Sequence, residues 1–239
     1  GAGSAGCVLA NRLSADPSVR VCLLEAGGSD ASPRVQTPAG TITLYKSKIF
    51  SWNFYSAPQQ RLNNRSLHCP RGKALGGSSS MNSMIYIRGH ASDYDRWEQD
   101  GCPGWGWQDV LPYFKKSERN LLGQDPALHG TLGELVVDKP RDPNPLSHLF
   151  IKAAEDLGLR RNDDFNGREF EGVGIYNVTQ KDARRLSSYR AFVAPLQRPN
   201  LTVLSGRQVG RLLLEGERVT GIELRSGERL LARREVILS

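Results

Sequence analysis

Gly1-Ala2-Gly3-Ser4-Ala5-Gly6, running into Cys7-Val8-Leu9-Ala10-Asn11-Arg12-Leu13-Ser14, is the stretch that decides the fold. Apolar residues in its second half recur at helical spacing, so a GxGxxG run opens a helix. Each glycine has its own expected task. Gly1 permits a tight turn, Gly3 lets backbone approach a pyrophosphate, and Gly6 lets the helix pack closely on a strand. The phosphate would then sit at the helix N-terminus, where free N–H groups and the positive dipole end attract it. A hydrolase nucleophile elbow is excluded, because GxSxG needs glycine where Ala2 stands.

Asp16-Pro17 ends this helix, and Val19-Arg20-Val21-Cys22-Leu23-Leu24-Glu25 reads as a buried strand closed by Gly27-Gly28. Glu25 follows Gly6 by 19 residues. From there a carboxylate can accept hydrogen bonds from adenosine ribose hydroxyls and repel a 2′-phosphate. NADP is thereby disfavoured, while FAD and NAD both remain open. The strand that should precede the glycine loop is absent, so the sequence is expected to begin mid-unit.

A second run of small residues lies further on: Gly72-Lys73-Ala74-Leu75-Gly76-Gly77-Ser78-Ser79-Ser80-Met81-Asn82-Ser83-Met84-Ile85-Tyr86-Ile87-Arg88-Gly89. Gly76-Gly77 removes side chains where backbone must approach something flat or anionic. Ser78 to Asn82 then offers hydroxyls, an amide and backbone N–H groups, suited to a pyrophosphate on one side and the polar edge of a flavin on the other. Taken alone, a Gly/Ser run is more often a flexible loop.

With both stretches in view, the chain resembles the glucose-methanol-choline (GMC) oxidoreductases. Gly72 to Asp95 is similar to that family's first signature at every constrained position. The likeness continues through Gly167, Val178-Thr179-Gln180 and Pro199-Asn200-Leu201-Thr202-Val203. The resemblance implies tightly held FAD and oxidation of an alcohol by hydride transfer to flavin N5. By position, Ser4, Ala5 and Glu25 look like contacts to the pyrophosphate and adenosine ribose. Ala74, Ser78, Asn82, Ser83, Met84 and Ile85 look like the loop along the pyrophosphate and isoalloxazine. Val209 resembles the residue whose backbone meets the adenine. Some family members tether flavin through a histidine just before the motif asparagine; Met81 stands there, so the FAD is expected to be non-covalent.

The resemblance also implies an α/β fold. A Rossmann-like FAD/NAD(P)-binding domain, a parallel sheet with a β-meander, would span 1–133 and 180–239. Residues 134–179 would form part of an α+β substrate-binding domain. The family places its catalytic histidine and second signature beyond the position of Ser239. The chain is therefore expected to be truncated at both ends and inactive by itself. None of His68, His90, His129 or His148 lies in a matching context; each reads as a surface or packing histidine, and no catalytic residue is assigned. Gly3 to Leu24 and Arg88 to Trp97 look most like bacterial aliphatic-alcohol dehydrogenases, with choline dehydrogenases next.

Other elements are read from periodicity. Residues 30–70 read as mostly loop, packed down by Trp52, Phe54 and Tyr55. Helices are expected from Asp93 toward Glu98, over Asp109–Arg119 with Leu111, Tyr113 and Phe114 buried, and over Leu146–Leu157 with Gly158 ending it. A strand is expected over Glu134–Val137. Leu201–Leu204, Gln208–Leu214, Arg218–Leu224 and Arg229–Ala232 read as strands joined by hairpins, and Val236-Ile237-Leu238 as the start of another buried strand.

Composition bounds the partners. A net charge of +7 comes from residues spread along the length, which reads as a solvated surface. No basic run interleaves with aromatics, so nucleic acid is not an expected partner. Cys7, Cys22, Cys69 and Cys102 have neither zinc nor disulfide spacing, and no metal site is expected. Sequons at Asn64, Asn177 and Asn200 carry no weight without a secretory route. The expected partners are a small-molecule alcohol and an electron acceptor, oxygen or a quinone. The expected location is cytoplasmic, with a peripheral position at the inner membrane open. Two rival functions stand beside this one: a NAD-dependent dehydrogenase, for which the Gly72–Asp95 loop has no role, and a non-enzymatic nucleotide-binding module.

Overall fold

The computed structural model describes residues 1–239. The chain forms two compact units, Gly1–Ser83 with Ser187–Ser239, and Met84–Leu186. These divide the chain elsewhere than the expected domains: residues 84–133 and 180–186 group with 134–179.

In the first unit, helix α1 (Ser4–Leu13) and strand β1 (Val21–Leu24) follow the glycine loop in order. The helix buries Gly6, Cys7, Ala10 and Asn11, a face small enough for close approach. Asn200 closes the α1–β1 connection by donating from Nδ2 to the carbonyls of Ser14, Asp16 and Val19 at 3.0, 3.0 and 2.9 Å. The strand Leu201–Leu204 then runs parallel to β1, Val21 opposite Leu201 and Leu24 opposite Leu204. Residues 209–231 form a three-stranded antiparallel meander, Val209–Glu215, Arg218–Leu224 and Arg229–Leu231, with Gly216 (φ +62°) in its first turn.

Two strand expectations are corrected here. Gly206 does not make a hairpin, because Gly206 N–H and Arg207 N–H go to the carbonyls of Gly27 and Glu25 and extend the parallel pairing. Val236-Ile237-Leu238 is not in a strand, and Ile237 and Leu238 are exposed. Phe54 and Tyr55 are largely exposed, Phe54 stacking on Trp52 and Tyr55 lying against His68. They sit in a two-residue antiparallel pairing with His68-Cys69.

The second unit holds helices Ala91–Gln99, Trp107–Ser117 and Pro145–Asp156. The middle helix stops two residues before the expected end. Glu118–Asn120 leaves it as a strand and pairs in parallel with Leu135–Val137. Tyr113 is 72% exposed rather than buried. On the helix Pro145–Asp156, Leu149 and Phe150 are exposed and Ile151 supplies the buried side chain. Gly158, at φ +90°, follows that helix as expected.

A buried polar cluster organises this unit. Arg88 donates from Nη2 to Glu118 Oε2 at 2.6 Å and from Nη1 to the Leu128 carbonyl at 2.7 Å. His129 lies between Glu118 Oε1 (2.9 Å, at Nδ1) and Asp164 Oδ2 (3.0 Å, at Nε2). It is thus a buried, hydrogen-bonded histidine rather than a surface one. No helix of the chain is long and apolar enough to cross a membrane.

Candidate functional site: two glycine stretches in contact

The two glycine stretches of the first unit meet backbone to backbone. Gly76 N–H donates to the Ala2 carbonyl at 2.7 Å. A Cβ on Gly77 would lie 2.7 Å from the Gly3 Cα, and Gly77 itself has φ +54°. A third glycine segment completes the stack. Gly27 packs its α-carbon on Lys73–Ala74, Gly28 bridges Ala74, and Leu75 N–H reaches the Gly28 carbonyl at 2.9 Å. A side chain at Gly27, Gly76 or Gly77 would push the stretches apart, which is the physical reason for those three glycines.

A Cβ on Gly6 would strike the Gly1 carbonyl. Gly3, in contrast, faces open space, with no protein atom within 4 Å of a Cβ placed there. It is the N-cap residue of α1, no side chain caps that helix, and no acid occupies its first turn. Ser4 and Ala5 are exposed at this end. An uncapped helix start beside open space can receive an anion.

Glu25 is 6% exposed and ties the loop to the strand end. Its Oε2 accepts Ala2 N–H at 2.9 Å and its Oε1 accepts Gly27 N–H at 2.8 Å. Each oxygen keeps a further lone pair for a ligand hydroxyl.

On the second stretch, Ala74, Gly76 and Gly77 are buried, while Ser78, Asn82 and Ser83 are exposed. A cavity of about 310 Å³ opens here, lined by Tyr45, Pro70, Arg71, Ser78, Met81 and Asn82. Ser78 Oγ accepts Gly72 N–H at 3.0 Å, and Tyr45 Oη bonds Ser83 Oγ at 3.0 Å. Tyr45 and Arg71 had no motif to flag them; Tyr45 reaches the cavity from the segment read as loop, and Arg71 from the position before the second glycine stretch. Met81 also packs with Val35 and Leu44.

Met84 and Ile85 belong to the second unit, where Met84 accepts Thr179 N–H at 2.8 Å and Ile85 bridges Val178. Met84 has φ +61° without being glycine, a local strain of the sort that functional segments hold. Val209 opens the meander, two residues beyond the Gly206–Arg207 segment that pairs with Glu25 and Gly27. Asn177, in one sequon, is buried, and Asn200, in another, is consumed by its three carbonyl contacts. No three His, Cys, Asp or Glu side chains gather closely enough to ligate a metal.

Cys7 lies directly under the contact, its Sγ donating to the Ala2 carbonyl at 3.2 Å. Burial first, and the Glu25 charge second, push its thiol up to about 12. Thiolate is the reactive form. Treatment of the native protein with a thiol-disulfide reagent at mildly alkaline pH is therefore expected to label exposed Cys102 and spare Cys7 until the chain is denatured. Peptide mapping after labelling reads the result.

Residues 1–239 match the family model described as GMC oxidoreductase. The chain belongs to this family. An alcohol dehydrogenase [acceptor] of Pseudomonas putida is 52% identical over 223 residues, covering 93% of this chain and 40% of the relative. An oxygen-dependent choline dehydrogenase of Sinorhizobium fredii is 44% identical over 244 residues, covering 100% of this chain and 44% of the relative. Among solved structures, an FAD-dependent oxidoreductase from Chaetomium thermophilum superposes with a TM-score of 0.87 at 29% identity, covering 98% of this chain and 43% of that one. The GMC chain described here thus spans less than half the length of these relatives. Its α/β architecture agrees with the family's FAD-binding domain, as the resemblance implied.

Proposed function

We propose that this GMC chain builds the FAD cradle of an alcohol oxidoreductase, and that FAD is held without a covalent bond. The observation that carries the reading is the Ala2–Gly76 and Gly3–Gly77 contact, which brings two phosphate-suited backbones to one place. A nicotinamide enzyme has no use for the second stretch.

In this reading the N-terminus of α1 holds the pyrophosphate, with Gly3 leaving room for it. Glu25 accepts from the adenosine ribose, and Val209 lies toward the adenine. Ser78, Asn82 and Ser83 offer exposed polar groups to the pyrophosphate and ring, and Tyr45 orients Ser83. Met84 and Ile85 follow Ser83 directly in the same stretch of sequence. Bound FAD supplies the hydride acceptor for alcohol oxidation. Met81 supports non-covalent binding, because a thioether offers no ring nitrogen for a flavin tether.

The substrate is a small alcohol, aliphatic or choline-like, and the electron acceptor is oxygen or a quinone. The full-length protein carrying this chain should purify yellow and release its flavin to the supernatant on acid precipitation. Colourless protein that takes up no added FAD would refute the cradle; flavin retained on the precipitate would refute the missing tether alone. Anaerobic bleaching by octanol or by choline assigns the alcohol class.

A further inference from the structure

Asp30 is a buried charge that the cradle as described does not use. It is 2% exposed, in the loop that follows Gly27-Gly28. Arg190 donates to both of its carboxylate oxygens, Nε to Oδ2 at 2.9 Å and Nη2 to Oδ1 at 3.2 Å, and Ser187 Oγ donates to Oδ2 at 3.1 Å. Ser187 is the N-cap residue of the short helix Ser188–Phe192, accepting Arg190 N–H. The grip therefore fixes that helix at its first turn.

What the helix holds is both glycine stretches at once. Ser188 N–H donates to Ser79 Oγ at 2.8 Å, and Ser79 Oγ donates to the Gly76 carbonyl at 2.5 Å. Ser188 Oγ donates to Ser4 Oγ at 3.2 Å, at the exposed start of α1. Ser187 Cβ would lie 2.9 Å from a Cβ on Gly76, so it backs that turn directly. At the far end, Asn11 Nδ2 donates to the Phe192 carbonyl at 2.7 Å, so the helix lies along α1.

We propose that Asp30, Arg190 and Ser188 are positioning residues that set the spacing between the two glycine stretches and so tune the affinity for FAD; the proposal rests on the FAD reading above. A buried carboxylate with a bidentate arginine is geometrically demanding, and its directional bonds transmit to Ser4 and Ser79 without touching the ligand. A brace needs that stiffness.

The test uses the full-length protein, with apoprotein melting followed by circular dichroism and FAD binding by quenching of flavin fluorescence. Ser188→Ala keeps the backbone N–H bond to Ser79 and removes the Oγ bond to Ser4 at the start of α1; it should weaken FAD binding about 10-fold, the value of one well-placed hydrogen bond, with the apoprotein midpoint close to wild type. Asp30→Asn should weaken binding further and lower the melting midpoint, because Arg190 is left unpaired. The double variant Asp30→Asn with Arg190→Gln removes that unpaired charge. It should regain thermal stability while its FAD affinity stays low and its visible flavin dichroism stays altered. If affinity returns along with stability, or if Ser188→Ala binds FAD as wild type does, the brace is overturned and the FAD reading stands. Wild-type protein that binds no FAD overturns both.

Discussion

Gly77→Ala is expected to leave the full-length protein essentially without flavin, its FAD affinity reduced about 100-fold or more. Two costs add at this residue. A left-handed backbone costs an L-residue about 1–2 kcal/mol, and Gly77 sits at φ +54°. The new methyl would also lie 2.7 Å from the Gly3 α-carbon, a backbone atom unable to rotate away. Forcing atoms into such a contact costs roughly 1–3 kcal/mol, and about 3 kcal/mol in all corresponds to more than 100-fold in binding. The expected readouts are a low flavin-to-protein ratio and a lowered apoprotein melting midpoint. Gly3→Ala separates the two effects. Its methyl meets no protein atom within 4 Å, so the apoprotein should melt like wild type while FAD affinity falls. A Gly77→Ala protein carrying a full complement of flavin would contradict the contact; a Gly3→Ala protein with unchanged affinity would contradict the placement of the phosphate.

The second large effect is expected in the other unit, at Glu118. This carboxylate is fully buried and serves Arg88, His129, the Gly130 N–H and the Asn120 amide together. Glu118→Leu removes the shared acceptor and leaves Arg88 and His129 charged in the interior. Breaking one side of such a pair costs about 3–5 kcal/mol, enough to consume much of a domain's stability. The loss should appear as a lower urea midpoint, followed by tryptophan fluorescence.

The same cluster sets a pH dependence. Burial works against the His129 charge, but hydrogen bonds to Asp164 and Glu118 outweigh it and raise the imidazole to about 9. A raised cationic group stabilises fully below its unfolded value, and that contribution is lost as pH climbs through the folded one. Wild-type stability should therefore fall by up to about 3 kcal/mol between roughly pH 6.5 and 9.5. Burial pushes Glu118 and Asp164 up, yet their bonds to His129 dominate and hold both below the usual carboxylate range. Their contribution is present at neutral pH and disappears in acid, as pH falls through those lowered values. His129→Gln should flatten the alkaline limb in urea titrations; an unchanged slope would show that His129 is not the titrating group.

The amino-acid sequence by itself determined the glycine loop, its helix, the acid at Glu25, the second Gly/Ser stretch and the meander strands. Each is a local property. A glycine with positive φ, a helical apolar stripe or an alternating strand is specified by neighbours a few residues away, and turns such as Gly216 announce themselves. Exposure was less legible: Tyr113, Leu149 and Ile237 are apolar at core-like spacing yet exposed, because periodicity gives a face and not what covers it. Only the tertiary structure decided that Gly3 touches Gly77, that Leu201–Leu204 runs parallel to Val21–Leu24, and that Asp30 pairs with Arg190 across 160 residues. It likewise gathered Arg88, Glu118, His129 and Asp164, which no spacing rule joins. These contacts depend on how distant segments pack, and their partners are selected by shape and charge once the local elements have met.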